Sequence, residues 1–407
     1  MPPRSVVITG TGAVSPLGDR PDVIFAALCA GTRALSVPSV FAADMVPGVL
    51  VAEVPAFNPQ QYIPTGNLRP LDRTGRLALV GLDLALADAG WTVERRAEQP
   101  LGMSVGTMFC SVKTIAEFDR RAQQAGPEYA SPMDFSNTVL NAAAGQAAIW
   151  EKLRGMNTTI AAGSTSGAQA IGYAFDQIRT GRADALVAGG VEEVCFESAH
   201  AFAQAARLTT AAGRRGVVSP FDTARDGTAL GEGAAFLVLE DEACARARGA
   251  RVLGRVLGWS SGFDPDVRDE QVPVSGAVLA SVIRAALADA DVQADAIGLV
   301  ESSASGMPAL DAREAAAIAD VFGTRVPVGA VKSMLGESLG ASGAFQALVA
   351  LQALRDGHQP GIAGLSQLDA ALAIDAAPTT RAVRATRALV TSLAHEGNCC
   401  AIVLGLD

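Results

Sequence analysis

The chain has 407 residues, 49% hydrophobic and 18% charged, with a formal net charge of -10; such a composition fills a large compact core and leaves little room for disorder. A phosphate backbone needs a basic face, so the acidic balance, with no long Lys/Arg run against it, excludes a nucleic-acid partner. No run of about 18 apolar residues is present, which excludes a membrane span, and Met1-Pro2-Pro3-Arg4 leads straight into Val6-Val7-Ile8 without a secretory apolar stretch, so a cytoplasmic protein is expected.

Strand-like runs recur at 5–11, 101–106, 158–162, 185–188 and 234–239, separated by helical periodicity at 73–89 and 142–152. This order is α/β, and the crossover helices predict mostly parallel pairing. A second series follows: strand 251–260, helix 276–290, strand 296–301, helix 312–322, strand 326–331, helix 340–356, and strands 387–392 and 399–404. The shared rhythm suggests one layered unit over 1–407 built from two pseudo-duplicated halves, 1–250 and 251–407, although identity between them is too low to prove a repeat. Residues 264–273 read as a surface loop.

Six cysteines, Cys29, Cys110, Cys195, Cys244, Cys399 and Cys400, show no metal-ligand spacing and read as buried small hydrophobes of a reducing compartment. No phosphate loop, nicotinamide fingerprint or metal cluster is visible, so no cofactor and no metal are expected. The informative segment is Ala161-Ala162-Gly163-Ser164-Thr165-Ser166-Gly167. A strand-like run ends near Ile160, and Ala168, Ile171, Ala174, Phe175 and Ile178 then follow at helical spacing. Ser164 therefore stands at a strand-to-helix turn, near the positive end of a helix dipole. A cysteine there would ionise readily. The dipole is worth at most about 2 kcal/mol, too little to make an alkoxide, so a nucleophilic serine needs an adjacent base.

Several motifs in order resemble the β-ketoacyl synthases of fatty acid and polyketide assembly. They are the opening Val6-Val7-Ile8-Thr9-Gly10-Thr11-Gly12, Asn141-Ala142-Ala143-Ala144-Gly145 with Gly155-Met156-Asn157, and Ala188-Gly189-Gly190-Val191-Glu192. Pro220-Phe221-Asp222-Thr223-Ala224-Arg225-Asp226-Gly227 and Gly231-Glu232-Gly233-Ala234 complete the set. The resemblance implies a thiolase-like layered αβαβα fold, and it runs nearly end to end. It also implies a cysteine nucleophile and two charge-stabilising histidines. By the motif Ala-Cys-x-Ser-Gly the cysteine position is Ser164. By Glu-Ala-His-Gly-Thr-Gly-Thr-Pro-x-x-Asp the first histidine position is Ser303, and Lys332-Ser333-Met334-Leu335-Gly336 puts Glu337 at the second. Lys332 is kept. Donors at a developing oxyanion are worth roughly 3–4 kcal/mol each, so the three replacements together should abolish condensation. A structural ion pair is the plain reading of Lys332 with Glu337.

One family type is built this way: the chain length factor of type II polyketide synthases, which lacks the reactive cysteine, pairs with an active ketosynthase and shapes the acyl tunnel. The resemblance then implies an active ketosynthase subunit and an acyl carrier protein as partners, in a heterodimer or a homodimer. That type usually carries glutamine at the cysteine position; Ser164 departs from this pattern and leaves room for the more divergent partners of polyene-type systems. By the same match Met108, Phe109, Val112, Ile115, Met133, Phe135 and Leu393 would line the tunnel or the interface; plain core and interface roles are the alternative. The family's closing Phe-Gly-Phe-Gly-Gly loop becomes Leu393-Ala394-His395-Glu396-Gly397, so its acyl-pocket gate is His395. A second reading therefore stays open, an acyltransferase or thioesterase using Ser164 with His395 and Glu396 or Glu337. A third is a purely structural stabiliser of a ketosynthase. His200 and His358 read as structural.

Overall fold

The computed structural model describes residues 3–64, 66–209, 217–268 and 274–406. Ten strands carry the fold: β1 Val6–Val14, β2 Gly102–Gly106, β3 Asn157–Ile160, β4 Ala185–Glu192 and β5 Gly233–Asp241 in the amino half, then β6 Gly254–Phe263, β7 Leu299–Glu301, β8 Pro327–Gly329, β9 Arg387–Leu393 and β10 Asn398–Gly405. They lie side by side in the order β8-β7-β9-β10-β6-β1-β5-β4-β2-β3, with the two-residue strand Asp375–Ala376 beyond β8. Outward from the middle, one half runs first, fifth, fourth, second, third in chain order, and so does the other. The duplicated rhythm of the sequence is therefore a duplicated topology. The halves join where Val6, Val7 and Ile8 pair with Val256, Arg255 and Gly254.

Helices sort into three layers. Outside the amino half lie α1 Arg73–Asp88 and α3 Ala142–Trp150; between α1 and α3 in sequence is α2 Val112–Ala125. Two helices, α4 Ser166–Arg179 and α9 Ser342–Asp356, pack on each other and on strands of both halves. Outside the carboxy half lie α6 Ala277–Asp289 and α7 Pro308–Phe322, while α5 Phe196–Gln204 packs on α2 and the short α8 Lys332–Leu335 adds Met334 and Leu335 to the core around the central pair. The result is αβαβα, as the family resemblance implies. β1 is buried on both faces, and its glycines let α1 approach: a Cβ on Gly12 would lie 2.2 Å from the Ala85 nitrogen.

Two expectations are corrected, the strand pairing and the burial of all six cysteines. Pairing is mixed rather than mostly parallel: β2 runs parallel to β3 and β4, and β7 to β8 and β9, but the six middle strands pair antiparallel. β9 and β10 are joined by the tight turn 394–397, which needs no crossover. Pro265–Arg268 forms a single 3₁₀ turn, and residues 269–273 of the expected loop lie outside the described residues. Two cysteines also differ from expectation, since Cys244 is exposed on the short helix Glu242–Ala247 and Cys29 is half-buried. Residues 1 and 2, part of the amino terminus considered above, lie outside the described residues. Among the described residues no helix is long and apolar enough to cross a membrane.

Candidate functional site

The amino termini of α4 and α9 meet at the centre of the molecule. Small residues make this contact: a Cβ on Gly167 would lie 2.6 Å from the Gly340 carbonyl oxygen, and one on Gly343 would lie 2.7 Å from the Ala168 Cβ. Two helix amino termini thus converge, each with unpaired N–H groups and partial positive charge. This is where an anion would be stabilised, and it is where Ser164 and Glu337 stand.

Ser164 lies in the turn between β3 and α4, 5% exposed. Gly163 before it has φ +64°, in the left-handed region. The turn is braced by the Thr165 hydroxyl donating to the Ala162 carbonyl at 2.7 Å and by the Ala162 N–H donating to Ser166 Oγ at 2.9 Å. Among the described residues no hydrogen bond joins Ser164 to His395. The His395 Nε2 faces Glu396 Oε1 instead, at 2.8 Å, and its ring stands edge-on to Phe202 at 5.3 Å. Geometry therefore unites His395 with Glu396 but leaves the serine without its base.

Glu337 fills the α9 terminus. Its Oε2 meets Lys332 Nζ at 2.6 Å, with both side chains 3% exposed. Its Oε1 accepts from the Leu339 N–H at 3.0 Å and from the Ser342 hydroxyl at 2.6 Å. A carboxylate built into the chain occupies the α9 amino terminus. Ser303 is equally committed: its N–H and hydroxyl donate to Glu314 Oε1 at 2.9 and 3.0 Å, and its oxygen accepts from the Leu393 N–H at 2.9 Å. Leu393 is accordingly a buried end of β9, holding Ser303 by its backbone.

Two carboxylates that the sequence analysis left without a role brace this centre. Glu192, at the end of an all-buried β4, accepts from the N–H groups of Met108, Phe109 and Gly340; burial pushes it up to about 7 against those bonds. Glu314 is pushed up to about 7 by burial, opposed by the Thr391 hydroxyl and by Lys332. A signal for the second was available: Glu314 follows Asp311 by three residues, one helical turn on the same face, and both are buried on α7.

The tunnel candidates divide in two. Met108 and Phe109 are half-buried against the cluster of Val51, Val194, Phe202 and Leu230, and Val112 and Ile115 are half-buried on α2, which has no fully buried residue. Met133 and Phe135 stand exposed, at 55% and 63%, with Val139, Leu140 and Ile149 exposed near them in sequence. A cavity bordered by His395 and Glu396 opens elsewhere. It measures about 420 Å³ and is lined by Arg207, Asp226, Met307, Leu310, His395 and Glu396 among others. His200 is exposed and stacked on Phe196, and His358 is exposed beside Asp356.

Comparison with known proteins agrees with this architecture. The profile of the β-ketoacyl synthase N-terminal domain matches residues 3–245, and that of the C-terminal domain matches residues 253–366. A 3-oxoacyl-[acyl-carrier-protein] synthase 2 from Rhizobium meliloti is 33% identical, covering 92% of either chain. A Streptomyces coelicolor protein named as an actinorhodin polyketide β-ketoacyl synthase 2 is 32% identical, covering 91% of each. Among solved structures, the ishigamide ketosynthase/chain length factor superposes with a TM-score of 0.92 at 30% identity, over the whole of both chains.

Proposed function

The chain belongs to the β-ketoacyl synthase family, and from that premise we propose that it is a non-condensing member. In this reading it is a chain length factor that pairs with an active ketosynthase and shapes the acyl tunnel, with chains delivered on an acyl carrier protein. The observation that carries the reading is the buried Lys332–Glu337–Ser342 arrangement. Condensation develops negative charge on an enolate and a tetrahedral oxyanion, and preorganised donors must meet it. Here a carboxylate already takes up the Lys332 ammonium, the Leu339 N–H and the Ser342 hydroxyl. Further charge would be repelled. The Ser303 hydroxyl donates to Glu314 Oε1, and among the described residues no hydrogen bond joins Ser164 to His395.

A partner is supported by the open edge of the sheet at β3 and by apolar side chains left in water close by. β3 ends the sheet with only β2 beside it, α3 packs on β3, and Ile149 of α3 is 80% exposed. An unpaired strand edge beside exposed large hydrophobics is a surface made for another chain. The superposing ketosynthase/chain length factor structure carries a name of this kind, and the 32%-identical Streptomyces coelicolor relative is named as a polyketide β-ketoacyl synthase.

Co-expression with an active type II ketosynthase subunit is the test. The chain alone should neither decarboxylate malonyl carrier nor extend an acyl chain, and the co-purified pair should do both. Condensation by the chain alone would overturn the proposal. A pair whose product length ignores changes in this chain would leave it a structural stabiliser.

A further inference from the structure

One side chain, Glu396, both lines the 420 Å³ cavity and meets the turn that carries Ser164. Glu396 lines the cavity on one side, and on the other its carboxyl lies over Gly163, where an added Cβ would be 2.4 Å from Oε2 and 2.8 Å from the carboxyl carbon. Gly163 is the residue before Ser164, so the carboxylate sits on the serine's own turn. Only a glycine there leaves room for it. His395, half-buried against Phe202, sets its Nε2 2.8 Å from Oε1, an ion-pair distance without hydrogen-bond geometry, and neither carboxylate oxygen accepts a hydrogen bond among the described residues.

We propose that Glu396, held by His395, is a built-in plug that closes the cavity before it reaches Ser164, so that no thioester arriving by that route can contact the serine. The inference goes beyond the non-condensing reading and does not depend on it. That reading concerns which charges the site can stabilise, whereas the plug concerns whether a substrate arrives at all. The plug also gives His395 and Glu396 a role that excludes them from a serine-based triad: the groups that would activate Ser164 instead obstruct it. Burial raises the Glu396 carboxyl, but His395, its own backbone N–H and Arg207 outweigh that and hold the group below the usual carboxylate range, which favours an anion facing any oxyanion that formed at Ser164.

A thiol at the serine position reports on access. Ser164→Cys is introduced into the full chain, purified as the assembly it forms, and treated with a chloroacetyl pantetheine. The thiolate displaces chloride to form a thioether, chloride leaves, and the thiol proton goes to buffer. Peptide mass mapping separates this position from the six native cysteines, with exposed Cys244 as the reference for reagent quality. S164C should label at least tenfold more slowly than S164C/E396G, and S164C/E396Q, which keeps the bulk without the charge, should stay slow. Should the glycine variant fail to fold, S164C/E396A makes the same comparison. Equal rates in S164C and the Glu396-shortened variant, fast or slow, overturn the plug, and so does fast labelling of S164C/E396Q. Product length in the paired enzyme reports separately on the chain-length reading, so the two can fail independently.

Discussion

Lys332 Nζ lies 2.6 Å from Glu337 Oε2, deep between the two halves of the sheet, at the position where the family resemblance leads one to expect a lysine and a histidine. A buried pair of this kind is weak evidence for stability, because desolvating two ions offsets most of their attraction. Removing one partner is different, since it strands the other. Lys332→Met should therefore cost about 3–5 kcal/mol in denaturant unfolding, and Lys332→Met with Glu337→Gln should recover most of that loss. A double variant no more stable than the single would mean that Glu337 is held by the Leu339 N–H and Ser342 hydroxyl alone.

Restoring the nucleophile should not restore the reaction. Ser164→Cys supplies a thiol at the α4 terminus, yet Ser303 and Glu337 still offer no donor to an enolate, and each missing donor is worth roughly 10²–10³ in rate. Malonyl-carrier decarboxylation by Ser164→Cys should stay at background. Only the further changes Ser303→His and Glu337→His, with Glu396→Gly, should raise it. Turnover by Ser164→Cys alone would mean that Lys332 still reaches the reacting oxygen.

Most of the frame was legible because buried strands and helices leave periodic apolar runs. Strand and helix limits read from 73–89, 276–290 and 387–392 agree with the structure to within a few residues. The antiparallel middle of the sheet was not legible, since β5 and β10 are apolar on both faces and such a run does not reveal its direction. In the site, the replacements at 164, 303 and 337 could be read by motif, and so could the Lys332–Glu337 pairing. The Glu396–Gly163 contact could not: it joins residues 233 apart in the chain, and the exchange shows only as a glutamate where the motif has glycine and a glycine where it has alanine. Glu192 and Glu314 looked like ordinary charges until burial and backbone donors gave them work.

Four buried carboxyl groups set a pH dependence of stability. Burial lifts Glu301 to about 8, with Glu314 adding like-charge repulsion, and also lifts Glu314 and Glu192 to about 7 and Asp311 to about 6. In the unfolded chain these groups ionise near pH 4. From about pH 4 to 8 the folded state thus holds protons that the unfolded state has lost, and stability falls as pH rises through that window. The melting temperature should be higher at pH 5.5 than at pH 8.5. Glu301→Gln should shallow the fall, since every tenfold difference in proton affinity between the folded and unfolded chain is worth about 1.4 kcal/mol. A melting temperature that rises toward pH 8.5 would place these groups in water.

Met133 and Phe135 offer a test of pairing that spares the fold. Both are more than half exposed and, although the Phe118 and Phe135 rings touch at 5.9 Å, neither belongs to the core. Met133→Asp and Phe135→Asp should therefore leave the melting temperature within a degree or two, while weakening association with the ketosynthase by tenfold or more, since a central apolar contact is worth about 1–2 kcal/mol or more. Size-exclusion chromatography of the co-expressed pair reads the outcome. Undiminished pairing would move the interface away from residues 132–137.

Val112 tests the tunnel itself. It opens α2 immediately after the loop whose Met108 and Phe109 N–H groups are pinned by Glu192, so its backbone position is fixed while its side chain is only half-buried. Bulk added there cannot be absorbed by a shift of the loop, and α2 has no fully buried face to displace. It must project into the space between α2 and whatever covers it. If that space is the acyl tunnel, Val112→Phe in the intact pair should shorten the product, read by mass spectrometry of the released chains, with the rate of the first condensation retained because the partner's chemistry is untouched. Ile115→Phe, about one helical turn further along α2, should allow longer chains than Val112→Phe if the tunnel follows the helix axis outward. Products of unchanged length from a stable pair carrying either substitution would assign α2 to a packing role and leave length control to the partner.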